Sequence, residues 1–110
     1  MTLIEHWEIQ MMRGLTGAAA LIGLCTLAAA QDQAQIAAGE ALYDEHCAMC
    51  HGEKLRSSGA ISDLRELRPE HRPRFAETVL EGRGQMPAWR GQLSEEEIDQ
   101  IWAYIRSRAQ

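Results

Sequence analysis

The stretch Cys47-Ala48-Met49-Cys50-His51-Gly52 sets two thiols three residues apart and an imidazole directly behind the second. Residue types that bind metals or react with electrophiles are gathered here in one turn of chain. The surrounding sequence decides which chemistry they serve.

Upstream, Leu15 to Ala30 is sixteen residues without a charge, preceded by Arg13 and ending Ala28-Ala29-Ala30 before Gln31. A basic residue, an apolar stretch and a small-residue site in that order predict a cleaved export signal over residues 1–30, with the working domain at 31–110. Glu5 and Glu8 do not suit the basic opening of such a signal, whereas a start at Met11 or Met12 gives one. An uncleaved anchor is the competing reading, but sixteen residues fall short of a bilayer span, and no stable membrane anchor is expected. Cys25 follows the bulky Leu24, which argues against a lipidated cysteine. The expected location is the periplasm or another exported compartment.

The domain after Gln31 keeps only Cys47 and Cys50, and a disulfide closing so short a loop restrains little of the unfolded chain. A chain of roughly 80 residues has a marginal core. Its large aromatic pieces are Tyr43, Phe75, Trp89, Trp102 and Tyr104 alone, so a large apolar cofactor would make up the deficit. From Gln31 onward ten Lys and Arg stand against fourteen Asp and Glu, with no basic tail, which makes nucleic acid an unsuitable partner.

Three helical stretches are expected in this domain. Ile36, Gly39, Tyr43 and His46/Cys47 recur at helical spacing, so one helix face runs into the cysteine motif. Residues 54–63 read as a loop broken at Ser57-Ser58-Gly59. The segment RPRFAETVLEG, residues 72–82, has a proline near its start, Phe75 and Val79 four apart, and Gly82 placed to stop it. RGQMPAWRGQ, residues 83–92, has no periodicity and reads as a loop. Ser94 and Glu97 form a capping box for a last helix whose Ile98, Ile101, Trp102 and Ile105 make one stripe. No alternating strand pattern and no internal repeat occur, so the fold is expected to be all-α.

Zinc requires four ligands, commonly two paired sets, and after His51 only His71 remains, without a partner pair. A thioredoxin-like dithiol opens a helix beside a parallel sheet, whereas these cysteines close a helix and no sheet is expected. Haem uses all three residues together. Cys47 and Cys50 can add to the two vinyl groups of one porphyrin, and His51 then projects under the ring as the proximal iron ligand. For the opposite face of the iron the domain offers Met49, tied to the proximal side, and Met86 in the loop; Met86 is the expected distal ligand, with plain core filling as the alternative. His46 and His71 are rivals for that position, read instead as surface histidines. Arg83 and Arg90 bracket the Met86 loop, read first as ordinary solvated arginines and alternatively as charges that would suit an acidic rim on a partner.

Gly39 and Tyr43 before the motif, Cys47, Cys50 and His51 within it, Met86-Pro87, and the terminal Trp102, Tyr104 and Ile105 together resemble the class I monohaem cytochromes c. More narrowly, residues 62–89 are similar to the cytochrome domain of quinohaemoprotein alcohol dehydrogenases, which takes electrons from pyrroloquinoline quinone. The resemblance implies a small cytochrome c fold around one covalent haem c, with first and last helices crossing at Gly39. It also implies that Arg65 and Trp89 contact the haem propionates. Where the family commonly has a proline whose carbonyl accepts from the proximal histidine, this chain has Ser62. The function so implied is single-electron transfer without catalysis, from a periplasmic dehydrogenase to a terminal oxidase or another cytochrome. A haem protein with an open sixth site, acting as a ligand sensor or catalytic subunit, is the alternative.

Overall fold

The last helix shows how local signals become architecture. In the computed structural model, which describes backbone from residue 3 and side chains from residue 23, Ser94 Oγ accepts from the Glu97 amide at 3.1 Å while Glu97 Oε2 accepts from the Ser94 amide at 2.8 Å. This reciprocal cap satisfies two of the donors that a helix start leaves free. Three glutamates in the first turn and Arg106 in the last complement the helix dipole. The resulting helix spans Glu95–Ser107, and Ile98, Ile101, Tyr104 and Ile105 are its buried residues.

The expected stripe placed Trp102 in the core with the three isoleucines; the structure half-buries Trp102 and seals Tyr104 completely. At 100° per residue the two aromatics lie about 160° apart on the helix, so each faces a different neighbour. Tyr104 meets Tyr43 with ring centroids 5.4 Å apart, and Trp102 meets Phe75 at 5.0 Å. The helix is gripped from both sides, which is why its buried arc is wider than one stripe.

The chain divides into two units, Met1–Gln33 and Ala34–Gln110, and the cysteine motif lies in the second. The expectation of a cleaved leader, with its alternative starts at Met11 and Met12, falls largely outside the residues whose side chains are described. Among the described residues no helix is long and apolar enough to cross a membrane. Helices α1 (Leu3–His46), α2 (Ala48–His51), α3 (Arg72–Glu81) and α4 (Glu95–Ser107) follow in order. Short 3-10 turns occupy Glu53–Leu55, Leu64–Glu66 and Pro69–His71 between α2 and α3. Among the described residues there are no strands, only two isolated bridges, Arg83 with Met86 and Arg90 with Leu93. The all-α expectation holds, while α2 and the three 3-10 turns add elements too short for any periodicity to announce.

Gly39 is where α1 crosses α4. A Cβ at this position would lie 1.8 Å from the Gln100 carbonyl oxygen, so only hydrogen allows the two backbones to approach. Tyr43 sits one turn further along α1 and is fully buried in the core formed with Leu55, Phe75, Val79, Leu93 and the α4 residues. Helix α3 starts with Pro73 in its first turn and stops at Gly82, whose φ of 73° lies in the left-handed region. The start of α3 and the segment before it are tied to α4 and the residues that follow it. Arg72 Nε donates to Asp99 Oδ1 at 3.0 Å, Arg106 donates to the Leu67 carbonyl, and the Gln110 amide donates to the Arg65 carbonyl at 3.2 Å.

Candidate haem-attachment site

Helix α1 ends at His46, so the cysteine motif begins where the expected helix face delivers it. The Cys47 amide donates to the Tyr43 carbonyl at 2.8 Å, a last helical bond, and the chain then tightens. Cys50 and His51 amides both donate to the Cys47 carbonyl, at 3.2 and 2.9 Å, and the Gly52 amide donates to the Ala48 carbonyl at 2.8 Å. Both thiols and the imidazole therefore spring from a single coil of backbone. Cys47 is half-buried and Cys50 exposed, and neither is in a disulfide. Burial, with the Cys50 sulfur beside it, pushes the Cys47 thiol up to about 11. Met49, between them, is 96% exposed, which removes it from the inside of the domain.

His51 carries the most informative atom. Its Nδ1 is sealed from solvent without a hydrogen-bond partner, whereas Nε2 is not in that condition. Burial holds the imidazole below its usual pKa, and the Ser62 backbone carbonyl pulls in the opposite direction. That carbonyl thus influences the ring, as the comparison with a proline at this place implied, but no well-formed bond to Nδ1 closes. An imidazole whose charged form is disfavoured by burial is suited to be a metal ligand. Ser57, at the start of the loop leading to Ser62, explains its breaker reading: its Oγ donates to the Ile61 carbonyl at 2.5 Å and accepts from the Gly59 amide at 3.2 Å.

Beyond the motif the chain reverses sharply. Gly52 has φ of 90°, and a Cβ there would lie 2.1 Å from the Arg56 carbonyl oxygen. Lys54 and Leu55 also have positive φ, 53° and 63°, and Leu55 is buried to 1% exposure. A leucine in the left-handed region costs about 1 kcal/mol, which insertion of its side chain into the core offsets. The Tyr43 hydroxyl donates to the Gly52 carbonyl at 2.7 Å.

Met86 is held by its backbone. Its amide and carbonyl pair with the carbonyl and amide of Arg83, both at 3.0 Å, closing a turn over Gly84 and Gln85. Gly82 forms the floor: a Cβ there would lie 2.6 Å from the Met86 carbonyl oxygen and 2.9 Å from the Ala88 nitrogen. The Trp89 amide then donates to the Val79 carbonyl at 2.9 Å, fastening the loop to α3. Trp89 packs on His46 with ring centroids 5.0 Å apart, so the loop that carries Met86 arrives beside the residue preceding Cys47.

The rival histidines have other employment. His46 is half-buried under Trp89, not on the surface as expected, and His71 is half-buried too, with Nδ1 accepting from the Arg68 amide at 3.0 Å. Arg65 is clamped by Asp63 through Nε to Oδ1 at 3.0 Å and Nη2 to Oδ2 at 2.7 Å. Arg90 is paired with Glu81, which leaves Arg83 as the arginine of the bracketing pair without a partner among the ion pairs of the described residues.

The residues present fit a haem. A coil that offers two thiols and an imidazole with one sealed nitrogen matches the attachment chemistry, and the sealed Nδ1 is an orphaned polar atom. Leu64, Leu67, Leu80, Met86 and Trp89 pack against the core yet remain only partly buried, an apolar surface that a large flat apolar group would cover. Sequence reasoning missed the hydroxyl of Tyr43, the floor at Gly82 and the Asp63 clamp. The glycine alone had a signal, its stop position after α3; the other two depend on contacts made by folding.

Comparison with known proteins agrees with this geometry. Residues 34–105 match the family described as cytochrome c oxidase, cbb3-type, subunit III. The quinohaemoprotein alcohol dehydrogenase ADH-IIG of Pseudomonas putida is 39% identical over 84 residues, covering 74% of this chain and 12% of that protein. A solved structure of ADHIIG from Pseudomonas putida HK5 superposes with a TM-score of 0.66 at 40% identity, over 71% of this chain and 12% of the other. Cytochrome c6 of Chlorolobion braunii is 31% identical, over 70% of this chain and 94% of its own length. The chain thus spans about an eighth of its quinohaemoprotein relatives but nearly the whole of cytochrome c6. With a matched domain that covers the motif coil, the Met86 loop and most of α4, the chain belongs to the c-type cytochromes, in the family described as cytochrome c oxidase, cbb3-type, subunit III.

Proposed function

We propose that the protein is an exported single-electron carrier with one covalent haem c. The observation that supports this most directly is the motif coil, in which the Cys50 and His51 amides both donate to the Cys47 carbonyl and His51 keeps one nitrogen sealed. Cys47 and Cys50 would hold the porphyrin through thioether bonds to its two vinyl groups, and His51 would ligate the iron. When bound, the haem supplies a one-electron ferrous/ferric couple. Met86, fixed by the Arg83 pairing and the Gly82 floor, would provide the second iron ligand, and a soft thioether there would favour the ferrous form and leave no position for substrate. Trp89 and Arg65 would meet the propionates, with Asp63 orienting the guanidinium. Likeness to dehydrogenase cytochrome domains supports a periplasmic quinoprotein-type dehydrogenase as donor, with a terminal oxidase or a second cytochrome as acceptor.

The test is spectroscopic. Purified protein should keep its haem through denaturation, and its ferrous spectrum should not change under carbon monoxide. Ready binding of carbon monoxide to the native ferrous protein would favour the open-site reading, a sensor or catalytic subunit. Export is checked by the amino terminus of periplasmic protein, which should begin at Gln31.

A further inference from the structure

We infer that Tyr43 is the positioning residue of the attachment motif, holding both its entrance and its exit to one point on α1. This rests on the proposed function above. The entrance is held by the main chain, where the Tyr43 carbonyl accepts from the Cys47 amide at 2.8 Å. The exit is held by the side chain, where the hydroxyl of the same residue donates to the Gly52 carbonyl at 2.7 Å. Cys47 to His51 is therefore a loop whose two ends are fastened to a single residue, and that residue has no freedom of its own. Its ring is fully buried and rests on Tyr104 across the α1–α4 crossing.

The exit is the place that needs such a tie. Gly52, Lys54 and Leu55 all have positive φ, and the turn doubles back so tightly that the Arg56 carbonyl lies where a Gly52 side chain would be. Two of these residues carry side chains that disfavour the left-handed region, so the turn needs a restraint to keep it closed. Fixing the Gly52 carbonyl fixes the peptide that follows His51 by one residue, and with it the direction in which the imidazole leaves the backbone. A phenylalanine would fill the same space and lose the tie.

Tyr104 supplies an internal control. It is the other member of the aromatic pair, is equally buried, and its hydroxyl has no hydrogen-bond partner. Removing one oxygen from either ring is the same change in the same core. In the haem-loaded protein, Tyr43→Phe is expected to raise amide exchange at Gly52 and Arg56 about two- to tenfold, the range of one modest hydrogen bond, without changing the amides of α4. Its reduction potential should fall, as the loosened exit lets water approach the haem. Tyr104→Phe should do neither. Equal behaviour of the two variants, or exchange that rises uniformly through the domain, would overturn the inference and leave Tyr43 a core residue. If Tyr43→Phe does not accumulate, the wild-type holoprotein decides: a slowly exchanging Tyr43 hydroxyl proton close to Gly52 in its NMR spectrum supports the tie, and its absence refutes it. A wild-type chain without covalent haem sinks the carrier reading and this one together, whereas haem-loaded variants that match each other sink only this one.

Discussion

At Gly39 a single hydrogen atom decides whether two helices can cross. Gly39→Ala would drive its methyl into the Gln100 carbonyl, which belongs to helix backbone and cannot step aside, so the crossing must open. The expected loss is about 3 kcal/mol, the upper range for overpacking, read from urea unfolding of the holoprotein. Met86→Ala should leave haem attached through Cys47 and Cys50, lower the reduction potential and create carbon monoxide binding to the ferrous form. An unchanged potential and unchanged ferric sulfur-to-iron band would assign the distal position to another residue. Asp63 gives a pH dependence of known sign. Side-chain and then backbone hydrogen bonds from Arg65 hold its carboxyl below the ordinary value, so the pair's contribution is complete above the unfolded value, about 3.9, and is lost as pH falls through the lower folded one. The stability gap between wild type and Asp63→Asn should be full at neutral pH and close in strong acid.

Elements differ in how much of their stability is local. Helix α4 carries its own start, and Ser94→Ala should cost about 1 kcal/mol, with melting lowered by about 4–8 °C and the visible haem spectrum unaltered. A spectral change would mean that the cap also supports the site. The capping box, the dipole charges and the isoleucine stripe were all legible before folding because each depends on residues within four positions. Helix α3 was legible for the same reason, from Pro73, Phe75, Val79 and Gly82. The segment between the motif and α3 was not. Its 3-10 turns span three residues each, too few for a period, and they are held by Asp63, by His71 accepting from Arg68, and by Arg106 reaching back 39 residues.

For the whole domain the open matter is what completes the core. Nine buried apolar side chains form it, and several of the residues around it stay partly uncovered. So small a core offsets backbone entropy poorly, and a domain of this size gains much from a bound group. A Cys47→Ala, Cys50→Ala double variant, unable to attach haem, is expected to lose native helix content and cooperative melting in circular dichroism. Native content with a sharp transition would show that the polypeptide folds without it.

The motif coil was readable from the chain alone because Cys47, Cys50 and His51 are neighbours in sequence, and their spacing is set by one turn of backbone whatever surrounds them. Met86 stood out by elimination in a loop without helical phase. Helix periods and caps then determined an all-α domain. Folding decided which face of α4 is deepest, because Tyr104 and Trp102 have similar chemistry and only the positions of α1 and α3 distinguish them. It also decided that Arg90 spends its charge on Glu81, that Arg65 is oriented by Asp63, and that the Tyr43 hydroxyl reaches Gly52. The Tyr43 contact depends on how sharply the chain turns back after the motif, through backbone angles at Lys54 and Leu55 that local preference disfavours and that burial of Leu55 in the assembled core sustains.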